Sequence, residues 1–99
     1  MDKLKNIHPG EILLEEFLLP LGTSAYKLSK DIGIPQTRTS EILKGNRRIT
    51  ADTALRLSRY FGNSAKFWLG IQDDYDIEEG ELQKKLELNS IKQFTVKAT

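Results

Sequence analysis

Ser24-Ala25-Tyr26-Lys27-Leu28-Ser29-Lys30-Asp31-Ile32-Gly33-Ile34-Pro35-Gln36-Thr37-Arg38-Thr39-Ser40-Glu41-Ile42-Leu43-Lys44 is the stretch whose reading decides the fold. Ser24, or Thr23 before it, is a natural helix N-cap, because its side-chain oxygen can accept one of the free N–H groups of a first turn. Ala25, Leu28 and Ile32 then recur at helical spacing. Gly33 stops that helix, since a residue without Cβ takes a left-handed backbone at no steric cost. Pro35 opens a second helix as a first-turn residue. The inward positions of this helix are Thr39, Ile42 and Leu43, and it ends at Gly45. Two helices joined by so short a corner cross steeply, which demands a small residue at the crossing; Ser29 stands there. Leu28, Ile32, Ile34 and Ile42 supply the inner apolar contacts. Residues 24–44 therefore have the grammar of a helix-turn-helix.

The outer face of the second helix is polar throughout. In such motifs this helix enters the major groove with its N-terminal residues at the base edges. Gln36, Thr37, Arg38, Ser40 and Glu41 are the candidate base-contacting residues. Arginine can pair in bidentate fashion with guanine, and glutamine with adenine. Lys44, Asn46, Arg47 and Arg48 follow as a basic cluster suited to the phosphate backbone. Ser24, Tyr26 and Lys27 surround the N-terminus of the first motif helix, whose outward N–H groups are a second candidate phosphate site. One polar helix face flanked by arginines is most often a solvated surface. Here cap, small crossing residue, glycine corner and polar ridge occur together, in order and at the required spacing.

Working outward, the chain is helical nearly throughout. Pro9 starts a helix with Ile12, Leu13, Leu14, Phe17 and Leu18 on one face and Glu11, Glu15 and Glu16 opposite; Pro20 and Gly22 end it. Residues 45–49 form a loop. Thr50 caps a fourth helix, with Asp52 complementing the helix dipole and Ala54, Leu55, Leu57, Tyr60 and Phe61 as its buried face; Gly62 ends it. Asn63 or Ser64 caps a fifth helix carrying Phe67, Trp68, Leu69 and Ile71, which either runs through the following acidic stretch or breaks near Gly80. Phe67, Trp68 and Leu69 read as core, with a dimer contact as the compatible alternative. Leu82, Leu86 and Leu88 indicate a further helical turn or two, and residues 90–99 a tail or a short added strand.

Charge is unevenly distributed although the net charge is only +1. Residues 36–60 hold six basic and two acidic side chains, net +4, and residues 73–87 two basic and seven acidic ones, net −5. The middle can face phosphates; the acidic stretch cannot. The 99 residues contain no cysteine, which removes disulfides, thiolate metal sites and cysteine catalysis, and makes a cytoplasmic home the simplest expectation. No apolar run approaches a membrane span, and Met1 to Lys5 do not read as a signal peptide. His8 is the sole histidine and has no partners at metal spacing, so it reads as a helix-start contact. With no nucleophile–base–orienter set, the chain reads as a non-enzyme without metal, cofactor or small-molecule substrate.

The runs His8-Pro9-Gly10-Glu11-Ile12-Leu13, Leu43-Lys44-Gly45-Asn46-Arg47-Arg48-Ile49-Thr50, Ala54-Leu55-Arg56-Leu57 and Phe61-Gly62-Asn63-Ser64-Ala65-Lys66-Phe67-Trp68-Leu69 resemble the HigA-type antitoxins, some labelled VapI-like. These belong to the phage-repressor-like (XRE, Cro/C1-type) helix-turn-helix family. The similarity spans about residues 7–76. It implies an all-α, five-helix, lambda-repressor-like DNA-binding domain at residues 8–76; the length of 99 residues points to a single domain, and residues 77–99, beyond the similarity, read from their own residues as a C-terminal helical or tail extension. It implies a homodimer on a palindromic operator, repression of its own operon, and neutralisation of a RelE-like mRNA interferase toxin. Its recognition-helix positions fall on Gln36, Thr37, Arg38, Ser40 and Glu41. The chain departs from the family at Thr39 and Ser29, where a branched apolar residue and alanine are usual. A stand-alone phage-repressor-like regulator without a toxin is the alternative function.

Overall fold

In the computed structural model, which describes residues 5–96, every regular element among the described residues is helical. Met1 to Leu4 and the last three residues of the expected tail lie outside the described residues. Helix α1 (Pro9–Ile12) passes directly into a π-helical segment (Leu13–Leu18). Then follow α2 (Ala25–Ile32), α3 (Gln36–Leu43), α4 (Ala51–Phe61), α5 (Ala65–Gln83) and α6 (Lys85–Asn89).

The π-helical widening is the first departure from a regular reading. Leu13 and Leu18 are both fully buried, yet residues five apart point to different sides of a regular α-helix. Widening the turn brings them onto one face. The Leu19 N–H reaches the Leu14 carbonyl at 3.0 Å, the five-residue bond of that geometry.

The corner between α2 and α3 forms as its residues dictate. Ser24 Oγ accepts from the Lys27 N–H at 3.1 Å and caps α2. Gly33 takes φ +73°. The N–H groups of Gly33 and Ile34 both close on the Ser29 carbonyl, which completes the helix stop. Pro35 is the residue before α3 and not its first turn: its ψ of 141° is extended, and the helix begins at Gln36.

Ser29 and Thr39, the two residues unlike the family's usual choice, explain each other. Both are buried, at 4% and 1% exposure. Ser29 Oγ stands 2.8 Å from the Ala25 carbonyl and 2.6 Å from Thr39 Oγ1. A hydroxyl has one hydrogen, so with Ser29 donating to the carbonyl, Thr39 donates to Ser29. The crossing carries a matched polar pair.

The core gathers Leu13, Leu18, Leu28, Ile32, Ile34, Ile42, Ile49, Ala54, Leu57 and Trp68. Trp68 is fully buried, and its indole N–H donates to Asn63 Oδ1 at 2.8 Å, while Ser64 caps α5 through the Phe67 N–H. Phe17, Phe61 and Phe67 surround the Trp68 ring, with centroids 4.8, 6.1 and 5.0 Å away. These are the separations at which tilted and edge-on aromatic pairs attract. Gly10 seats α1 on the end of α3: a Cβ there would lie 1.8 Å from the Ile42 carbonyl oxygen.

Elsewhere one expectation fails and two open readings are decided. Leu55 and Tyr60 are exposed, because the buried stripe of α4 runs through Thr53, Ala54, Leu57 and Ser58 and they fall beside it. Of the two readings of the acidic stretch, the continuous helix is the one found: α5 passes Gly80 and ends at Gln83. The short helix carrying Leu86 and Leu88 exists, but both leucines are exposed, and residues 91–96 have no regular structure.

The Ser29–Thr39 pair makes a non-additive set of variants. Ser29→Ala leaves the Thr39 hydroxyl without its acceptor in the core and costs about 1–3 kcal/mol. The double change Ser29→Ala with Thr39→Val removes both polar partners and recovers most of that loss. Urea midpoints measure this; losses that simply add would show that the two hydroxyls do not act as a pair.

Candidate nucleic-acid interface

The expected base-contacting residues all lie within the first six residues of α3, around its buried Thr39. Gln36 and Thr37 are exposed, while Arg38, Ser40 and Glu41 are half-buried where the helix turns back towards the body. Lys44, Asn46, Arg47 and Arg48 are exposed immediately beyond. Ser24, Tyr26 and Lys27 are exposed at the start of α2. None of these residues is in the core. Phe67, Trp68 and Leu69 divide: Trp68 is core, Leu69 is half-buried against it, and Phe67 is 38% exposed.

Several of these side chains are already held. Arg38 NH1 lies 3.3 Å from Asp52 Oδ2. The Lys27 ammonium sits 3.1 Å from Asp31, which also accepts from the Tyr60 hydroxyl at 2.6 Å. The Tyr60 hydroxyl first, and the Lys27 ammonium second, hold the Asp31 carboxyl below the usual carboxylate range. Glu41 Oε2 accepts from Asn46 Nδ2 at 3.3 Å, and the Asn46 N–H donates to the Glu41 carbonyl at 2.9 Å. Glu41 therefore ties down the start of the basic loop as well as standing on the polar ridge.

The far end of that loop is anchored by residues the sequence reading did not single out. Ile49 is fully buried, and its N–H donates to Gln72 Oε1 at 2.7 Å. Gln72, itself buried, donates to Asp76 Oδ1 at 3.0 Å. Asp76 Oδ2 accepts from Arg48 at 2.7 Å. A line runs from the loop backbone through α5 and back to a loop arginine. Asp76 thus supports the basic surface, although it lies in the stretch counted as acidic. Gln72 was findable: it stands one turn after Trp68 on the buried face, where a glutamine must find backbone partners. Asp52 and Arg56 were visible too, as an i,i+4 ion pair. Arg56 Nε lies 3.1 Å from Asp52 Oδ2.

His8 caps α1. Its Nδ1 accepts from the Gly10 N–H at 2.9 Å, and its ring stacks edge-on against Tyr75 at 4.9 Å. Burial lowers its pKa despite the nearby Asp76 charge, which favours the neutral ring whose Nδ1 can accept. The described residues contain no group of three metal-ligating side chains and no helix long and apolar enough to cross a membrane.

A helix-turn-helix family model matches residues 14–68. Virulence-associated protein I of Dichelobacter nodosus is 49% identical over 84 residues, covering 85% of this chain and 78% of that protein. An addiction-module antidote protein of the HigA family from Coxiella burnetii superposes with a TM-score of 0.86 at 42% identity, over 92% of this chain and 100% of that one. The Pseudomonas aeruginosa antitoxin HigA, solved with the higBA promoter, superposes with a TM-score of 0.87 at 33% identity, also over 92% and 100%.

Gln72→Leu strands the buried Ile49 N–H and is expected to lower stability by about 1–3 kcal/mol. Hydrogen exchange adds a local readout, with the Ile49 amide losing protection. Unchanged protection there would mean that Gln72 does not anchor the loop.

Proposed function

Because the chain belongs to the helix-turn-helix family, in the branch of the HigA-type antitoxins, we propose that it is an operator-binding antitoxin that represses its own operon as a homodimer and neutralises a RelE-like mRNA interferase toxin. The observation that carries this reading is the exposed polar ridge of α3, flanked by the Lys44–Arg48 cluster and braced by buried contacts from α1, α2 and α5. The P. aeruginosa relative solved with its promoter supports it.

In this reading α3 enters the major groove. Gln36, Thr37, Arg38, Ser40 and Glu41 meet base edges: Arg38 suits guanine, Gln36 adenine, and Glu41 the amino group of cytosine. Ser24, Tyr26, Lys27, Lys44, Asn46, Arg47 and Arg48 meet phosphates on either side and set the register. Residues 8–76 are the DNA-binding domain and 77–99 its extension. The partly exposed Phe67 and Leu69 on α5 are the surface assigned to the second subunit, with Trp68 as its buried support. Two copies related by a two-fold axis then read the two halves of a palindrome. The setting is the cytoplasm, and the activity needs no cofactor.

A gel shift with the DNA upstream of the protein's own gene tests the main point, and two variants test the residue roles. Arg38→Ala costs on the order of 1–3 kcal/mol on a duplex selected by the protein and far less on a scrambled one. Arg47→Ala weakens both alike and reduces the salt slope by about 1. No shift of the upstream DNA, or equal losses for Arg38→Ala on both duplexes, would overturn these assignments.

A further inference from the structure

Arg38 is held through a chain of contacts that begins at the helix-turn-helix corner. Arg56 NH1 donates to the Ile32 carbonyl at 2.8 Å and to the Gly33 carbonyl at 3.4 Å. The fit is close, since a Cβ on Gly33 would stand 3.3 Å from that same nitrogen. Arg56 Nε donates to both oxygens of Asp52, at 3.2 and 3.1 Å. Asp52 Oδ2 then accepts from Arg38 NH1 at 3.3 Å. The corner carbonyls fix Arg56, Arg56 orients Asp52, and Asp52 reaches the guanidinium on the polar ridge of α3.

Exposed ion pairs of this kind contribute little to folding. The Asp52 side chain is 58% exposed. The effect of the contact on DNA recognition is larger. An unrestrained arginine is a long, mobile cation that any phosphate satisfies, and phosphate contacts carry no sequence information. A guanidinium has five N–H donors in a planar fork. With NH1 taken by a carboxylate, the opposite edge still offers two donors, the pattern that guanine O6 and N7 accept. The same carboxylate repels an approaching phosphate.

We propose that Asp52 is a positioning residue for sequence discrimination: it acts through Arg38, turning that side chain from a general phosphate contact into a base reader. This rests on the reading above that Arg38 meets a base. Asp52 itself makes no favourable contact with the duplex.

The test uses the full chain, a duplex selected by it from a randomised pool, and a scrambled duplex of equal composition, with binding followed by fluorescence anisotropy over a salt series. Asp52→Asn frees Arg38. Binding to the scrambled duplex tightens, its salt slope steepens by about 1, and the selected-to-scrambled ratio falls on the order of tenfold. Asp52→Glu restores most of the ratio. Arg38→Lys lowers the ratio with Asp52 intact, because an ammonium has no two-donor fork. In an Arg38→Ala background, adding Asp52→Asn changes the ratio no further. A ratio unmoved by Asp52→Asn while Arg38→Ala lowers it would overturn the positioning role alone. An Asp52→Asn loss that persists in the Arg38→Ala background would overturn it as well. A ratio unmoved by Arg38→Ala would remove the base-contact reading, and the role of Asp52 with it.

Discussion

The crossing of α2 and α3 is the constraint on which the rest depends. It is closed by Gly33 at φ +73° and by a buried contact between Ser29 and Thr39 at 2.6 Å. A hydrogen bond fixes this crossing in direction as well as distance, whereas an apolar contact fixes only distance. The angle of α3 relative to the body follows, and so does the exposure of Gln36 and Thr37. The other end of α3 is set by Gly10, where the α1 backbone comes too close to the Ile42 carbonyl for any side chain. The helix is pinned near both ends.

Around that fixed helix the charged surface is organised by bonds to groups further in. Arg38 is tied through Asp52 and Arg56 to the corner carbonyls, and Arg48 through Asp76 to Gln72 and the Ile49 backbone. In each case a carboxylate faces a cation that a phosphate or base could also claim. Such pairs shorten the list of conformations an arginine must give up on binding, and they raise the cost of a wrong partner. Residues of α4 and α5, away from the ridge itself, thus set where its flanking arginines lie.

The helix-turn-helix was legible because its requirements are local: a cap, a glycine, a small residue and a short apolar stripe, all within 24–44. The N-cap at Ser24 and the stops at Gly33 and Gly62 followed from side-chain chemistry alone. The burial of Leu55 and Tyr60 was misjudged because apolar character does not fix which side of a helix faces inward; the neighbours Ala54 and Leu57 decide that. The π-helical turn was illegible, since it arises from the need to bury Leu13 and Leu18 together against a core built from other helices. The partnership of Ser29 and Thr39 was hidden for the same reason. Each looked like a departure from pattern, and only their contact makes sense of both.

Solution NMR of the full chain, titrated with a duplex it selects, tests the central claim that the α3 ridge is the surface that meets DNA. The account predicts that the largest amide shift changes cluster at residues 36–41, 44–48 and 24–27, with α6 nearly unmoved. Changes concentrated on α5 and α6, with residues 36–41 unaffected, would contradict it.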